Sequence, residues 1–190
     1  MPVNFKGGIH PAGKKSVMMK KAIEEMDAPS EIVLPLLMHR GTICSPIVEV
    51  GDRVRLGQKV AESTAAASAP IFSSVSGIVT EIAPRLHPCG EEILSVVIKN
   101  DFEDESVELL PVHDRLRTLE ANELALVARD AGIVGLGGSA YPLSEKILAA
   151  VGDVDTLIIN GAECEPYVSA DNRVMIEYTE DLYEGAVAIA

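Results

Sequence analysis

The residues best placed to do chemistry are a cluster of glycines followed by a lysine. Gly135, Gly137 and Gly138 remove side chains from a short loop, Pro142 suits the start of a helix, and Lys146 falls within that helix. Backbone N–H groups can approach an anion closely where no Cβ intervenes, and a helix N-terminus adds positive potential. The pattern therefore predicts a phosphate-binding loop. It matches neither the P-loop nor the dinucleotide-binding glycine pattern, and a tight loop joining two helices is the alternative.

A second group of polar residues follows this helix. Residues 156–159 predict a short strand that ends at Asn160, directly before the acidic sequence GAECEP. Helices alternating with a strand favour an α/β arrangement, in which a ligand crevice lies at the carboxyl end of the strand. On residue chemistry alone, Asn160, Glu163 and Glu165 are as consistent with a ligand site as with structural roles. The structural alternatives are a turn-capping role for Asn160 and helix-entry charges for the two glutamates.

Length and charge bound the class of protein. The 190 residues allow one or two domains, and 16 basic against 29 acidic residues give a net charge of -13, which argues against a nucleic-acid surface. No apolar run reaches the ~18 residues of a membrane span, and the N-terminus lacks the apolar region of a secretory signal. We therefore expect a cytoplasmic protein. The basic residues near the start are predicted to form a solvated helix face, which includes Lys14, Lys15, Lys20 and Lys21.

The cysteines predict free thiols. Cys44, Cys89 and Cys164 are far apart in the sequence and include no C-x-x-C pair. This spacing indicates neither a disulfide framework nor a metal site, so no metal ligand is predicted here.

The first half of the chain predicts a small β domain. Residues 31–37 form a short apolar run that Pro35 marks as an edge strand. Apolar residues alternate from Ser45 to Val60 around Gly51-Asp52, which predicts a hairpin, and short alternating strands recur in residues 69–82 and 93–98. A flattened all-β barrel is the expected result.

The sequence VEVGDRVRLGQ resembles the V-x-V-G-D-x-V-x-x-G-Q pattern of biotinyl and lipoyl carrier domains, which are barrel-sandwich hybrids. Such carriers present a modified lysine at the turn between their two halves. Here that turn reads ESTAAASAP, and no lysine occurs between Lys59 and Lys99. We therefore expect the carrier fold to serve as a structural or docking module without a swinging arm.

Composition changes predict four segments. Residues 1–40 form an irregular N-terminal arm, 41–100 the barrel-sandwich hybrid, 101–115 an acidic linker, and 116–190 an α/β domain. Apolar residues in the last segment recur with helical period up to Gly132, which is expected to end a helix in the left-handed conformation. Because the chain stops on an apolar helix with one predicted strand, the α/β domain is expected to be truncated.

Four motifs together resemble one family. FKGGIHP, VGDRVRLGQ, GIVGLGGSAYPLSEK and LIINGAECEPYVSADNRVM occur in the same order as in the RnfC family, whose members are subunits of the Rnf electron-transport complex, and they extend over nearly the whole chain. The resemblance implies an α+β protein of two domains. An N-terminal barrel-sandwich hybrid would precede the start of an α/β FMN-binding domain like that of the 51 kDa subunit of respiratory complex I.

The resemblance also implies roles for individual residues. The glycines and Lys146 would hold the FMN phosphate and ribityl chain, and Asn160 would bond an edge of the flavin. Glu163 would be the catalytic carboxylate beside the docking place of nicotinamide, with Glu165 supporting it. The implied cofactor-binding residues are Gly135, Gly137, Gly138, Lys146, Asn160, Glu163 and Glu165.

The implied function is electron transfer between NAD(H), FMN and iron–sulfur clusters in a membrane-associated, ion-translocating ferredoxin:NAD oxidoreductase. Two 4Fe-4S clusters would be bound downstream of these residues, and the fragment alone would be inactive. Partners would be the other subunits of the complex and ferredoxin or another redox protein, at the inner face of the cell membrane. The alternatives are a soluble relative that passes electrons from NADH to an amino-acid reductase such as proline reductase, and a docking module without redox activity.

The glycine loop departs from the family pattern. Where the family commonly continues GGAGFPT, this chain has Ser139, Ala140, Tyr141 and Leu143. Alanine at position 140 replaces a glycine, so we expect a residue with a Cβ to occupy a position of positive φ. Leu143 replaces a threonine and removes a hydroxyl from the predicted cofactor side.

Overall fold

Two units make up the computed structural model, which describes residues 12–65, 67–108 and 116–190. The described residues of 27–155 form one unit, and those before residue 27 form the other together with 156–190. Among the described residues, no helix is both long and apolar enough to cross a membrane.

The larger unit begins with two antiparallel sheets. In its described part, the strand order of the first sheet is β1-β7-β6-β3 and that of the second is β2-β4-β5. The strands are β1 Glu31–Pro35, β2 Ser45–Pro46, β3 Arg53–Val54, β4 Lys59–Glu62, β5 Ile71–Phe72, β6 Gly77–Leu86 and β7 Glu92–Asn100. β1 lies at an edge of its sheet, as predicted, and ends at Pro35, where a missing N–H is tolerated.

One apolar core joins the two sheets. Val54 and Val79 from the first sheet and Val60 from the second are fully buried in the same cluster, to which Leu36 also belongs. Branched side chains that alternate along short strands fill such a core because successive residues point to opposite faces. The barrel-sandwich architecture is thereby confirmed.

The hairpin predicted from Ser45 to Val60 is wrong at the Gly51 turn, although the two ends of this passage pair antiparallel as β2 and β4. β2 pairs with β4 and β3 pairs with β6, so the strands on either side of Gly51 lie in different sheets. The N–H of Gly51, which has φ of 98°, donates to the carbonyl of Val79, and the Asp52 carboxylate accepts from the N–H of Glu49. The turn thus carries the chain from one sheet to the other.

Acidic residues after β7 pack on the barrel. Arg53 forms ion pairs with Asp101, Glu103 and Glu105, and the N–H of Leu56 donates to the carbonyl of Glu105. These residues belong to the predicted linker, whose residues 109–115 lie outside the described part of the chain. The predicted segment boundaries stay a prediction.

Two helices complete the larger unit. α1 Ala121–Asp130 and α2 Leu143–Ala150 pack through Ala125, Ala128 and Ile147. Gly132 follows α1 with φ of 67°, which confirms the predicted left-handed end of the helix.

The smaller unit contains α3 Ala170–Glu177 and α4 Thr179–Ile189. Residues 156–164 form neither helix nor strand, so the strand predicted over 156–159 is wrong. A strand needs a hydrogen-bonded neighbour, and no strand is found in the described residues of this unit. The hydroxyl of Thr179, the first residue of α4, donates back to the carbonyl of Met175.

The helix predicted for the lysine-rich segment is reduced to the 3-10 helix Lys15–Val17. Side chains of α3 take up the backbone groups that a longer helix would use. The N–H of Ile23 donates to the Glu177 carboxylate, and Arg173 donates to the carbonyl of Met19. Tertiary hydrogen bonds have therefore overridden helix propensity in this segment.

Candidate functional site

The glycine loop is closed at its base by its own backbone. Val134 and Pro142 form an antiparallel bridge, and the N–H of Gly135 donates to the carbonyl of Tyr141 at 2.9 Å. The N–H of Leu143 then donates to the carbonyl of Ile133 at 2.9 Å and leads into α2. These local bonds fix residues 135–141 as a narrow loop at the start of a helix.

The tip of this loop is open. A Cβ placed on Gly137 or Gly138 would meet no atom within 4 Å, and the Leu136 side chain is fully exposed. The backbone N–H groups of residues 136–139 donate no hydrogen bond to any residue that the structure describes. Unpaired donors beside open space are the arrangement that an anion requires.

Ala140 occupies a left-handed conformation. Its φ is 43°, as expected from the replacement of a glycine. Its N–H donates to the carbonyl of Gly137, and its carbonyl accepts from the N–H of Arg40, both at 3.1 Å. Such a conformation costs an L-residue about 1–2 kcal/mol, so these bonds hold the loop against a local strain.

Lys146 folds back over the loop. A Cβ added to Gly135 would lie only 2.9 Å from the Lys146 ammonium nitrogen, so a glycine suits position 135. The side chain is exposed, and within the described chain it forms no ion pair with a carboxylate. A free cation at the start of α2 adds to the potential of the helix N-terminus.

The predicted residues after α2 lie in the smaller unit. Asn160 accepts a hydrogen bond from the N–H of Ala162 through its side-chain oxygen at 3.0 Å, which is a turn contact. Glu163 accepts one from the N–H of Asp171 at 3.0 Å, in the first turn of α3. Both contacts match the structural alternatives, and the flavin and catalytic roles stay predictions.

Cys164 and Glu165 form an exposed pair. A hydrogen bond to the Glu165 carboxylate and the negative charge of that group raise the pKa of the Cys164 thiol. The same hydrogen bond lowers the pKa of Glu165. Near neutral pH the pair therefore consists of a protonated thiol and an ionised carboxylate.

Sequence reasoning missed Lys15. Its ammonium donates to the backbone carbonyls of Glu163 at 2.8 Å, Glu165 at 3.1 Å and Val168 at 3.2 Å. The prediction of a solvated lysine face is therefore wrong for this residue. Nothing in the spacing distinguishes it from Lys14, because its acceptors are carbonyls about 150 positions away.

The predicted site residues thus fall into two sets. The glycines and Lys146 belong to the unit of residues 27–155, and Asn160, Glu163 and Glu165 belong to the other unit. Each set has its own geometry. The first offers unpaired N–H donors and a cation, and the second offers two carboxylates held on a turn.

Comparison with known families matches both halves of the chain. Residues 3–103 match the family described as the RnfC barrel sandwich hybrid domain. Residues 128–190 match the family described as the Nuo51 FMN-binding domain, and this match contains both sets of predicted site residues.

Individual relatives agree with these families. The chain is 40% identical over 188 residues to the C component of the proton-translocating ferredoxin:NAD(+) oxidoreductase complex of Clostridium ljungdahlii, covering 98% of this chain and 41% of the relative. It is 38% identical over 183 residues to the Na(+)-translocating counterpart of Acetobacterium woodii, covering 95% and 41%. For the C component of the ion-translocating oxidoreductase complex of Vibrio cholerae, the identity is 38% over 184 residues, covering 96% and 24%. The chain therefore spans less than half the length of these relatives.

Proposed function

The chain belongs to the RnfC family, and on that premise we propose that it is the flavin-holding part of an electron-transfer subunit in a ferredoxin:NAD oxidoreductase complex. One observation carries the proposal. Residues 136–139 of the glycine loop present unpaired backbone N–H groups and open space, and the Lys146 ammonium lies over Gly135. These features fit a terminal phosphate such as that of FMN.

Each residue of the loop has a distinct task in this proposal. The N–H groups of 136–139 donate to the phosphate oxygens, and Gly137 and Gly138 leave room for the phosphate to approach the backbone. Lys146 neutralises part of the phosphate charge as a point cation. The strained Ala140 keeps the loop narrow at its base, through its bonds to Gly137 and Arg40.

Residues 160–168, called here the acidic turn, would have the separate roles that the family resemblance implies. Asn160 would bond an edge of the flavin ring system, Glu163 would lie beside the nicotinamide as the catalytic carboxylate, and Glu165 would support it. FMN, when bound, supplies the conversion between two-electron exchange with NAD(H) and one-electron exchange with iron–sulfur clusters. The residues of the turn contribute charge and orientation.

The proposal extends to partners that these residues do not contain. Each four-iron cluster needs four cysteine ligands, whereas this sequence has three scattered cysteines. The two 4Fe-4S clusters that the family resemblance implies would be bound downstream of these residues, and we expect the 190-residue chain alone to be inactive as an oxidoreductase. The remaining partners are ferredoxin and the ion-translocating subunits, at the inner face of the cell membrane.

A titration with FMN and riboflavin tests the site. The anisotropy of the flavin's own fluorescence rises when the small ligand binds to the chain, so it reports binding directly. We expect FMN to bind more tightly than riboflavin, which has no phosphate, and Lys146→Ala to weaken FMN about tenfold, equivalent to about 1.4 kcal/mol.

The matched control is Lys20→Ala, which removes an exposed cation of the other unit and should leave FMN affinity unchanged. Equal affinity for FMN and riboflavin, or an unaltered affinity in Lys146→Ala, would show that the loop holds no phosphate. Absence of binding by either flavin would favour the docking module.

A further inference from the structure

The ammonium of Lys15 is a single point that holds three positions of the acidic turn. It donates to the carbonyls of Glu163, Glu165 and Val168, at 2.8, 3.1 and 3.2 Å. A lysine ammonium has three N–H donors, so these carbonyls use its full capacity. All three hydrogen bonds of the ammonium therefore go to backbone carbonyls, and none goes to the carboxylate of Glu163 or Glu165.

The segment around Lys15 reinforces this tie. The N–H of Tyr167 donates to the carbonyl of Gly13 at 2.7 Å. Tyr167 itself has a φ of 67°, which an L-residue keeps only when its surroundings impose it. Contacts on both sides of Pro166 therefore force the turn into one conformation.

The backbone tie also determines where the carboxylates lie. Glu163 is bonded at both ends, because its carbonyl accepts from Lys15 and its carboxylate accepts from the N–H of Asp171. If the backbone of the turn shifts, both carboxylates shift with it.

We propose that Lys15 is a positioning residue, which fixes the backbone of the acidic turn and thereby the positions of Glu163 and Glu165. This inference rests on the proposed function for its redox consequence. The structural tie between Lys15 and the turn stands without it.

The geometry specifically requires lysine. Three carbonyls converge on one nitrogen, whereas the planar guanidinium of arginine spreads its donors over a fork. Lys15→Arg therefore keeps the charge and loses the convergence. The Lys15→Arg variant therefore distinguishes the effect of position from the effect of charge. Lys20→Arg is the matched control, because Lys20 is exposed at a nearby position of the same segment.

Hydrogen exchange tests the structural part in the flavin-free chain. We expect Lys15→Arg and Lys15→Met to accelerate exchange of the Tyr167 and Asp171 amides about tenfold or more, since local opening then lacks its main restraint. Amides of β6 and β7 should keep their protection, which shows that the variants are folded. Unchanged exchange of the turn in both variants would overturn the inference, whatever the flavin does.

The midpoint potential of bound FMN tests the redox part. Displacement of two carboxylates from the flavin should raise the potential in Lys15→Arg, whose charge is that of the wild type, while Lys20→Arg leaves it unchanged. A wild-type potential in Lys15→Arg would overturn the positioning role. Failure of the wild-type chain to bind FMN would instead refute the proposed function, and the exchange data would still decide whether Lys15 holds the turn.

Discussion

The two units are stabilised in different ways. Every buried hydrophobic side chain of the described residues lies within 27–155, where strands and helices enclose a core. In the smaller unit, α3 and α4 bury no residue, and its described contacts include hydrogen bonds and ion pairs such as that of Arg173 with Glu177. The glycine loop thus stands on a packed scaffold, whereas the acidic turn depends on polar bonds from distant residues. The comparison predicts that substitutions and pH affect the glycine loop and the acidic turn differently.

The largest effect is expected at the junction between the loop and the barrel. A Cβ on Gly132 would lie 2.7 Å from the ring of Phe72 and 2.9 Å from the carbonyl oxygen of Pro70, at a φ of 67°. Gly132→Ala should therefore lower the free energy of unfolding by about 3 kcal/mol, from backbone strain and overpacking together.

Urea denaturation followed by circular dichroism measures this loss. Gly152→Ala is the control, because its φ of 79° imposes the strain while no atom lies within 4 Å of the added Cβ. It should lose only about 1 kcal/mol. Equal losses in the two variants would show that the helices do not rest on the barrel at this position.

A smaller, stabilising effect is expected within the loop. Ala140→Gly relieves the strain at a φ of 43° and should raise the free energy of unfolding by about 0.5–1 kcal/mol, after the added entropy of the unfolded chain is deducted. Ala131→Gly, at a φ of -79°, has no strain to relieve and should be destabilising. A loss of stability in both variants would contradict the left-handed conformation of Ala140.

Acid should act on the smaller unit in a lower pH range than on the barrel. The hydrogen bond from Arg173 lowers the pKa of Glu177 in the folded state. Its stabilising contribution is present above the unfolded pKa and is lost as the pH falls through the lowered folded value. NMR signals of α3 should therefore broaden or shift below about pH 4.5, and Arg173→Gln should weaken this dependence.

Burial gives the barrel a separate response to pH. It lowers the pKa of His39, whose ring nitrogen accepts from the N–H of Ala69. This contribution is present above the unfolded pKa of about 6.5 and declines as the pH falls toward the folded value. His39→Gln should remove the decline of barrel signals below about pH 6.5 and leave α3 unaffected. A simultaneous loss of both units with a single midpoint would contradict the comparison.

The sequence predicted the parts of the fold that local pattern determines. Alternating apolar residues indicated the barrel strands, Pro35 indicated an edge, and Gly132 indicated the end of a helix. The partners of the strands could not be predicted this way. The turn at Gly51 has the composition of a hairpin, yet it joins two sheets, because pairing is decided by distant strands such as β6.

The same distinction applies to the candidate site. The positive φ of Ala140 and the position of Lys146 follow from spacing within one loop and one helix. The hydrogen bonds from Lys15 to the acidic turn could not be predicted from spacing, because their acceptors are backbone carbonyls, which every residue has. The strand predicted over 156–159 failed for a related reason, because a β-rich run forms a strand only where a neighbour accepts its hydrogen bonds.

Backbone amide NMR during titration with FMN tests directly whether the N–H groups of residues 136–139 bind a phosphate. We expect the amide signals of these residues to shift with FMN and to keep their positions with riboflavin, because only FMN brings a phosphate to these donors. Signals that remain unchanged at 136–139 while FMN binds, or that respond equally to riboflavin, would contradict the assignment of this loop as the phosphate site.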